Sequence, residues 1–176
     1  MKLAIAYYSR TGYTERVVNE LKQALTSESF TVDVYKVLPV KEYSKPLHVN
    51  LRLIYDTIFK KGASIKFEPS KPKLSDYDLV VVASPIWIGT LSSPIQEFLK
   101  RHATMRSVVV ITTSVRSMKT AKIERVVEKL CGAKPMLCAN IRDATIRDSA
   151  KLKETVQEVV NELRAVTGNK VTHYCH

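Results

Sequence analysis

The apolar positions along the chain change period in a repeating order. Residues 3–8 form a short apolar run; Val17, Val18, Leu21, Ala24 and Leu25 then recur at helical spacing, and residues 30–37 alternate in strand fashion. Residues 79–83, Leu-Val-Val-Val-Ala, are an unbroken apolar stretch of the kind buried on both faces of a parallel sheet. Pro94 suits the first turn of a helix that places Ile95, Phe98 and Leu99 on one face, and residues 107–113 read as a fourth strand. Ala121, Val126, Val127 and Leu130 mark a helix closed by Gly132, residues 136–141 a fifth strand, and Leu152, Val156, Val159, Val160 and Leu163 a last helix closed by Gly168. Alternation of strands and helices at these lengths predicts an α/β fold, a doubly wound parallel sheet of five strands covered on both faces.

One connection breaks the rhythm. Residues 38–78 are polar and Pro-punctuated, with one helical patch where Val49, Leu53, Ile54 and Ile58 align. They read as an enlarged second crossover inside a single domain spanning residues 1–168, followed by a short tail at 169–176. The size agrees: 176 residues, 45% of them hydrophobic, match one domain with a full core. No apolar run reaches the ~18 residues of a membrane span, and the chain opens directly on a strand pattern, so an intracellular, cytoplasmic protein is expected. Cys131, Cys138 and Cys175 are odd in number and lack C-x-x-C spacing, which argues against a disulfide framework and for reduced thiols.

Charge narrows the partners only to anions. The formal net charge is +11, and residues 101–150 hold ten basic and four acidic side chains, a local excess of +6. Phosphorylated cofactors, acidic proteins and nucleic acid all qualify, but the basic residues of that segment alternate with acids on a predicted helix and no nucleic-acid motif accompanies them. His173, Cys175 and His176 crowd the tail without the paired spacing of a zinc site, so no metal is expected.

The candidate chemistry lies in the loops after the strands, because an open parallel sheet binds ligands outside its carboxyl ends, where the strand order reverses. After the first strand, Ser9, Thr11 and Thr14 offer hydroxyls, Gly12 permits close backbone approach, and the following helix directs free N–H groups and its positive dipole end at the same point. The loop lacks the lysine and spacing of a nucleoside-triphosphate loop and has no G-x-G-x-x-G, which leaves a terminal phosphomonoester as the best fit. Read alone, it is equally a turn in which Thr14 caps the helix. Residues 84–94, Ser-Pro-Ile-Trp-Ile-Gly-Thr-Leu-Ser-Ser-Pro, add the one tryptophan of the chain at the same edge, where an indole face could stack on a flat heteroaromatic ring. The first loop contains no cysteine nucleophile and no Ser-His-Asp arrangement is apparent, which argues against a phosphatase.

Together these stretches resemble the flavodoxin-like FMN proteins: Ser-Arg-Thr-Gly-Tyr-Thr is similar to their [ST]-x-T-G-x-T phosphate loop, and residues 77–99 to their strand, Pro-Ile-Trp-x-Gly loop and Pro-started helix. The resemblance implies strand order 2-1-3-4-5 with FMN, and not FAD, at the switch between strands one and three. It implies that Ser9, Arg10, Thr11, Gly12, Tyr13 and Thr14 hold the phosphate, that Pro85, Ile86, Trp87, Ile88 and Gly89 bracket the isoalloxazine, and that Thr112, Thr113, Ser114, Val115, Arg116 and Ser117 form a third flavin loop. Three departures stand out: Tyr13 replaces the usual asparagine, the third loop has no aromatic, and the chain is basic where electron-carrier flavodoxins are acidic. The expectation is an FMN-binding redox protein carrying out electron transfer with an acidic protein partner. The alternatives are an NAD(P)H-dependent FMN or quinone reductase on the same fold, in which Arg116 could steady charge on the reduced ring, and a flavin-free binding module using the basic 101–150 surface.

Overall fold

Valine- and isoleucine-rich segments with apolar side chains on both faces are stable only in the middle of a covered parallel sheet, and that is where this chain puts them. The computed structural model describes residues 1–40, 64–103, 105 and 107–171, with side chains as far as residue 168. Lys2–Tyr7 (β1), Thr31–Pro39 (β2), Leu79–Trp87 (β4), Val108–Ser114 (β6) and Leu137–Arg142 (β7) pair in parallel in the order β2-β1-β4-β6-β7, the expected 2-1-3-4-5. Two strands come in addition to the expected five. Ile65–Glu68 (β3) lies antiparallel on the edge beside β2, within the segment read from sequence as helix and loop, and Thr90–Leu91 (β5) folds back on β4. Both are short and neither alternates for long enough to announce itself. The helical patch at 49–58 lies outside the described residues.

The pleat assigns side chains to two cores. Leu3, Ile5 and Tyr7 of β1, Leu79, Val81 and Ala83 of β4, and Val109 and Ile111 of β6 face Tyr13–Ser27 (α1) and Ser149–Val171 (α5). Ala6, Val80, Val82, Val108 and Val110 face Ser93–Arg101 (α2) and Thr120–Cys131 (α3). Each helix presents the apolar stripe seen in the sequence: Val17, Val18, Leu21 and Leu25 are buried on α1, and Ile95, Phe98 and Leu99 on α2, which starts at Pro94 in its first turn as expected. Gly132 closes α3, its N–H donating to the Glu128 carbonyl at 2.8 Å.

The final helix corrects one expectation: α5 does not stop at Gly168 but runs to Val171. Gly168 keeps a helical backbone and a Cβ there would meet nothing within 4 Å, so the residue costs the helix about 1 kcal/mol of propensity without ending it. Between β7 and α5 lies a short helix, Asp143–Arg147 (α4), not seen in the sequence. Cys131 and Cys138 are free thiols, and burial pushes Cys138 up to about 12, which makes it an unreactive, protonated group. Cys175, His173 and His176 lie outside the described residues. No described helix is long and apolar enough to cross a membrane.

Because β1 is fully enclosed, Ile5→Ala leaves a cavity that neighbours on two helices cannot fill. Urea unfolding of the variant is expected to show a loss of about 2–5 kcal/mol.

Candidate functional site

The carboxyl ends of β1, β4, β6 and β7 reach the same edge of the sheet, and the residues leaving them enclose a cleft of about 260 Å³. Arg10, Thr11, Tyr13 and Thr14 line it from the first loop and the start of α1, Pro85, Ile86 and Trp87 from β4, Thr113 and Ser114 from β6, and Val115 from just after it. The structure therefore brings ten of the sequence-nominated residues into one cavity. It adds Asp143, the first residue of α4, which the motif comparison passed over. The available signal was positional: Asp143 follows the fifth parallel strand, and each such junction opens on this edge.

The first loop is shaped by Gly12, whose φ of +89° is open only to glycine at low cost and over which nothing lies within 4 Å of a Cβ position. Gly12 is the N-cap of α1, not Thr14, and the cap has no side-chain hydrogen bond. Its carbonyl accepts the first helical bond from Arg16 N–H at 2.9 Å, and the earlier N–H groups of the helix have no intrahelical partner. Thr14 sits instead inside the first turn, buried, with Oγ1 hydrogen-bonded to Thr113 Oγ1 at 2.8 Å, which ties the first loop to the end of β6. Glu15 would oppose an anion here, but its Oε1 accepts from Tyr7 Oη at 2.7 Å and Lys36 Nζ at 2.9 Å. Those two bonds hold its carboxyl below the ordinary 4.5, while burial and the same carboxylate push the Tyr7 hydroxyl up.

β4 continues through Pro85, Ile86 and Trp87, so these residues belong to a strand and not to the loop expected from sequence. The chain then reverses through Ile88 and Gly89, both with positive φ (50° and 73°), the signature of a type I′ hairpin turn. An isoleucine in this region is strained, and Ile88 is 57% exposed. Trp87 borders the cleft and meets Tyr8 edge-on, with centroids 5.3 Å apart at 88°. On the other side Thr112 and Thr113 lie within β6, not in a loop. Thr112 turns away from the cleft, donating to the Ala139 carbonyl at 3.1 Å and accepting from Asn140 Nδ2 at 2.9 Å. Arg116 and Ser117 are exposed and, like Ile88 and Gly89, do not line the cavity.

Two orphaned polar atoms test whether a phosphate fits. Ser9 Oγ and Arg10 Nη1 are buried without a hydrogen-bond partner among the described residues, beside a helix N-terminus with no side-chain cap. A buried N–H donor without an acceptor carries a penalty that a charged oxygen acceptor removes. The donor set, the dipole end and a flat indole at the opposite side of the cleft fit a phosphorylated flavin.

The fold is that of a flavodoxin-like protein, and comparison with known proteins gives the family. Residues 3–131 match the family described as NADPH-dependent FMN reductase, and the chain belongs to it. No curated protein matches the chain. Among solved structures, a flavoprotein of Lactobacillus acidophilus in complex with FMN is 18% identical with a TM-score of 0.67, covering 85% of this chain and 98% of its own. The two-electron-reduced flavodoxin of Megasphaera elsdenii is 16% identical with a TM-score of 0.55, over 88% and 96%. An NAD(P)H:quinone oxidoreductase of Methanothermobacter marburgensis is 12% identical with a TM-score of 0.54, over 90% and 96%. At such identities these structures speak for the fold; the family match makes the chain an FMN-binding redox protein, with FMN as its cofactor.

Two stability changes follow from the site's construction. Ile88→Asn relieves the left-handed strain and places the Asn-Gly pair favoured in type I′ turns, and is expected to raise unfolding free energy by about 1 kcal/mol in urea titration. Glu15 has a depressed folded-state pKa, so its contribution is present above 4.5 and lost as pH falls through the lower folded value. Glu15→Gln should therefore be less stable than the parent at neutral pH, with the gap closing in acid; a gap that is constant with pH would refute the assignment.

Proposed function

We propose that the chain is an NAD(P)H-dependent flavin oxidoreductase acting in the cytoplasm, built as one domain over residues 1–168. The observation that carries this reading is the β6 side of the cleft, lined by Ser114 and the 79% exposed Val115, where none of the described lining residues is aromatic. An uncovered face leaves room for a nicotinamide to lie against the ring, which hydride transfer requires. FMN, when bound, supplies the two-electron chemistry.

The chain's own residues bind and orient. Ser9, Arg10, Thr11, Gly12, Tyr13 and Thr14 hold the phosphate through hydroxyls, backbone N–H groups and the Arg10 guanidinium. Pro85, Ile86 and Trp87 form the apolar wall that keeps water from one side of the ring, and Thr113, Ser114 and Val115 border the other. The Thr14–Thr113 hydrogen bond keeps these two groups at a fixed separation. Thr112, Arg116, Ser117, Ile88 and Gly89 act from outside the lining, as the frame of β6 and the rim of the hairpin.

A second reading, electron transfer to an acidic protein partner, draws on the exposed Ile88 and Val115 beside Arg116, Lys119 and Lys122, an apolar and basic rim. Anaerobic mixing separates the two. Rapid bleaching of the flavin band by NADPH or NADH is expected, followed by reoxidation with a quinone; reduction by dithionite alone, with neither nicotinamide effective, would leave the carrier reading in its place.

Thr11→Ala tests the phosphate loop. Loss of one hydroxyl bond to a charged acceptor costs about 1.5–3 kcal/mol, so the dissociation constant for FMN should rise roughly 10- to 100-fold in a folded protein. Unchanged affinity would reduce Thr11 to a turn residue.

A further inference from the structure

We propose that Tyr13, pinned by Arg147, closes the phosphate end of the cleft and makes the site accept a flavin mononucleotide while refusing a flavin dinucleotide. The inference rests on the FMN reading above and goes on to ask what sets the limit of the ligand.

Tyr13 is the first residue of α1 and leaves the chain directly after the glycine that bares the loop backbone. It lines the cleft and also packs on the core beneath α1 and α5, so its ring lies across the boundary between cavity and protein. Arg147, the last residue of α4, donates its Nε–H to Tyr13 Oη at 2.9 Å and sets its guanidinium carbon 5.7 Å from the ring centroid. A phenol held at its hydroxyl and along its face has little freedom to swing aside. The same corner is stitched once more, by Arg16 Nη2 donating to Ser149 Oγ at 2.6 Å, which joins α1 to the start of α5. Side chains of α1, α4 and α5 are thus tied together behind Tyr13, the one of them that lines the cleft.

A phosphomonoester needs nothing past that boundary, since its terminal oxygens end at the loop. A diphosphate must carry a second phosphate and a nucleoside outward, between the first loop and α4, where the Tyr13 ring stands. Asp143 of α4 also lines the cleft and no described residue pairs with it, so a carboxylate there opposes additional negative charge. Selectivity of this kind comes from a built-in obstruction more than from extra attraction to the preferred ligand.

The test is direct titration of the apoprotein with FMN and with FAD, reading flavin fluorescence, for the parent and for Tyr13→Ser and Tyr13→Phe. In the parent, FMN is expected to bind at least about 100-fold more tightly than FAD. Tyr13→Ser removes the ring and should cut that ratio by about tenfold or more, mainly through tighter FAD binding. Tyr13→Phe keeps the ring but loses the Arg147 bond, and should lower the ratio by a smaller, measurable amount. An unchanged ratio in Tyr13→Ser overturns the proposal, and a Tyr13→Phe protein equal to the parent removes Arg147 as a positioning residue. If Tyr13→Ser does not fold, Tyr13→Asn makes the same comparison. A parent that binds no FMN defeats the cofactor reading itself, a result separable from either of these.

Discussion

The parallel register of β1, β4 and β6 is the constraint on which the site depends. Tyr7 lies opposite Ala83, and Pro85 opposite Thr113, so the three strands deliver their carboxyl ends to one edge at matching heights. From that alignment follow the neighbouring positions of the first loop, Trp87 and Ser114. A slip of one residue in any pair would turn the buried set of that strand to the wrong face and carry its terminal residue out of the cleft. The valine-rich segments of β4 and β6, buried on both faces, hold the register through packing on four helices.

Around this frame the polar groups are divided between those that serve the structure and those left available. Glu15 is neutralised by Lys36 and Tyr7, Thr112 is taken up by Ala139 and Asn140, and Arg16 and Arg147 bind the corner formed by α4 and α5. Ser9 Oγ and Arg10 Nη1 remain buried and unpaired. That pattern leaves unsatisfied polar atoms beside the N-terminus of α1, where the helix dipole is also positive and an anion would be favoured. Of the described non-glycine residues with positive φ, Ile88 lies in the hairpin at this edge, and Ser29 lies between α1 and β2.

Much of the fold could be read from periodicity. The five parallel strands, the helices on Val17 to Leu25 and on Ile95 to Leu99, and the Gly132 stop each arise from local patterns long enough to be distinctive. The added strands β3 and β5 and the helix α4 are brief; β3 depends on a partner strand some thirty residues away, and β5 is two residues folded back across a hairpin turn. Gly168 read as a stop because glycine usually is one there; packing of Val156, Val159, Val160 and Leu163 carried the helix through it.

For the site, the sequence alone determined the chemical inventory: hydroxyls and a glycine before a helix, one tryptophan after the third parallel strand, and a third junction without an aromatic. Those follow from composition and from the order of elements, which survive any detail of packing. Tertiary structure decided which of them share the cavity. It turned Thr112 away, left Arg116 and Ser117 outside, drew Thr14 into a bond with Thr113, and brought in Asp143 and Arg147 from beyond the recognised motifs. The alternation of a strand and the phase of a helix turn set where a side chain points, and only the folded sheet brings Thr14 to Thr113 and Tyr13 to Arg147.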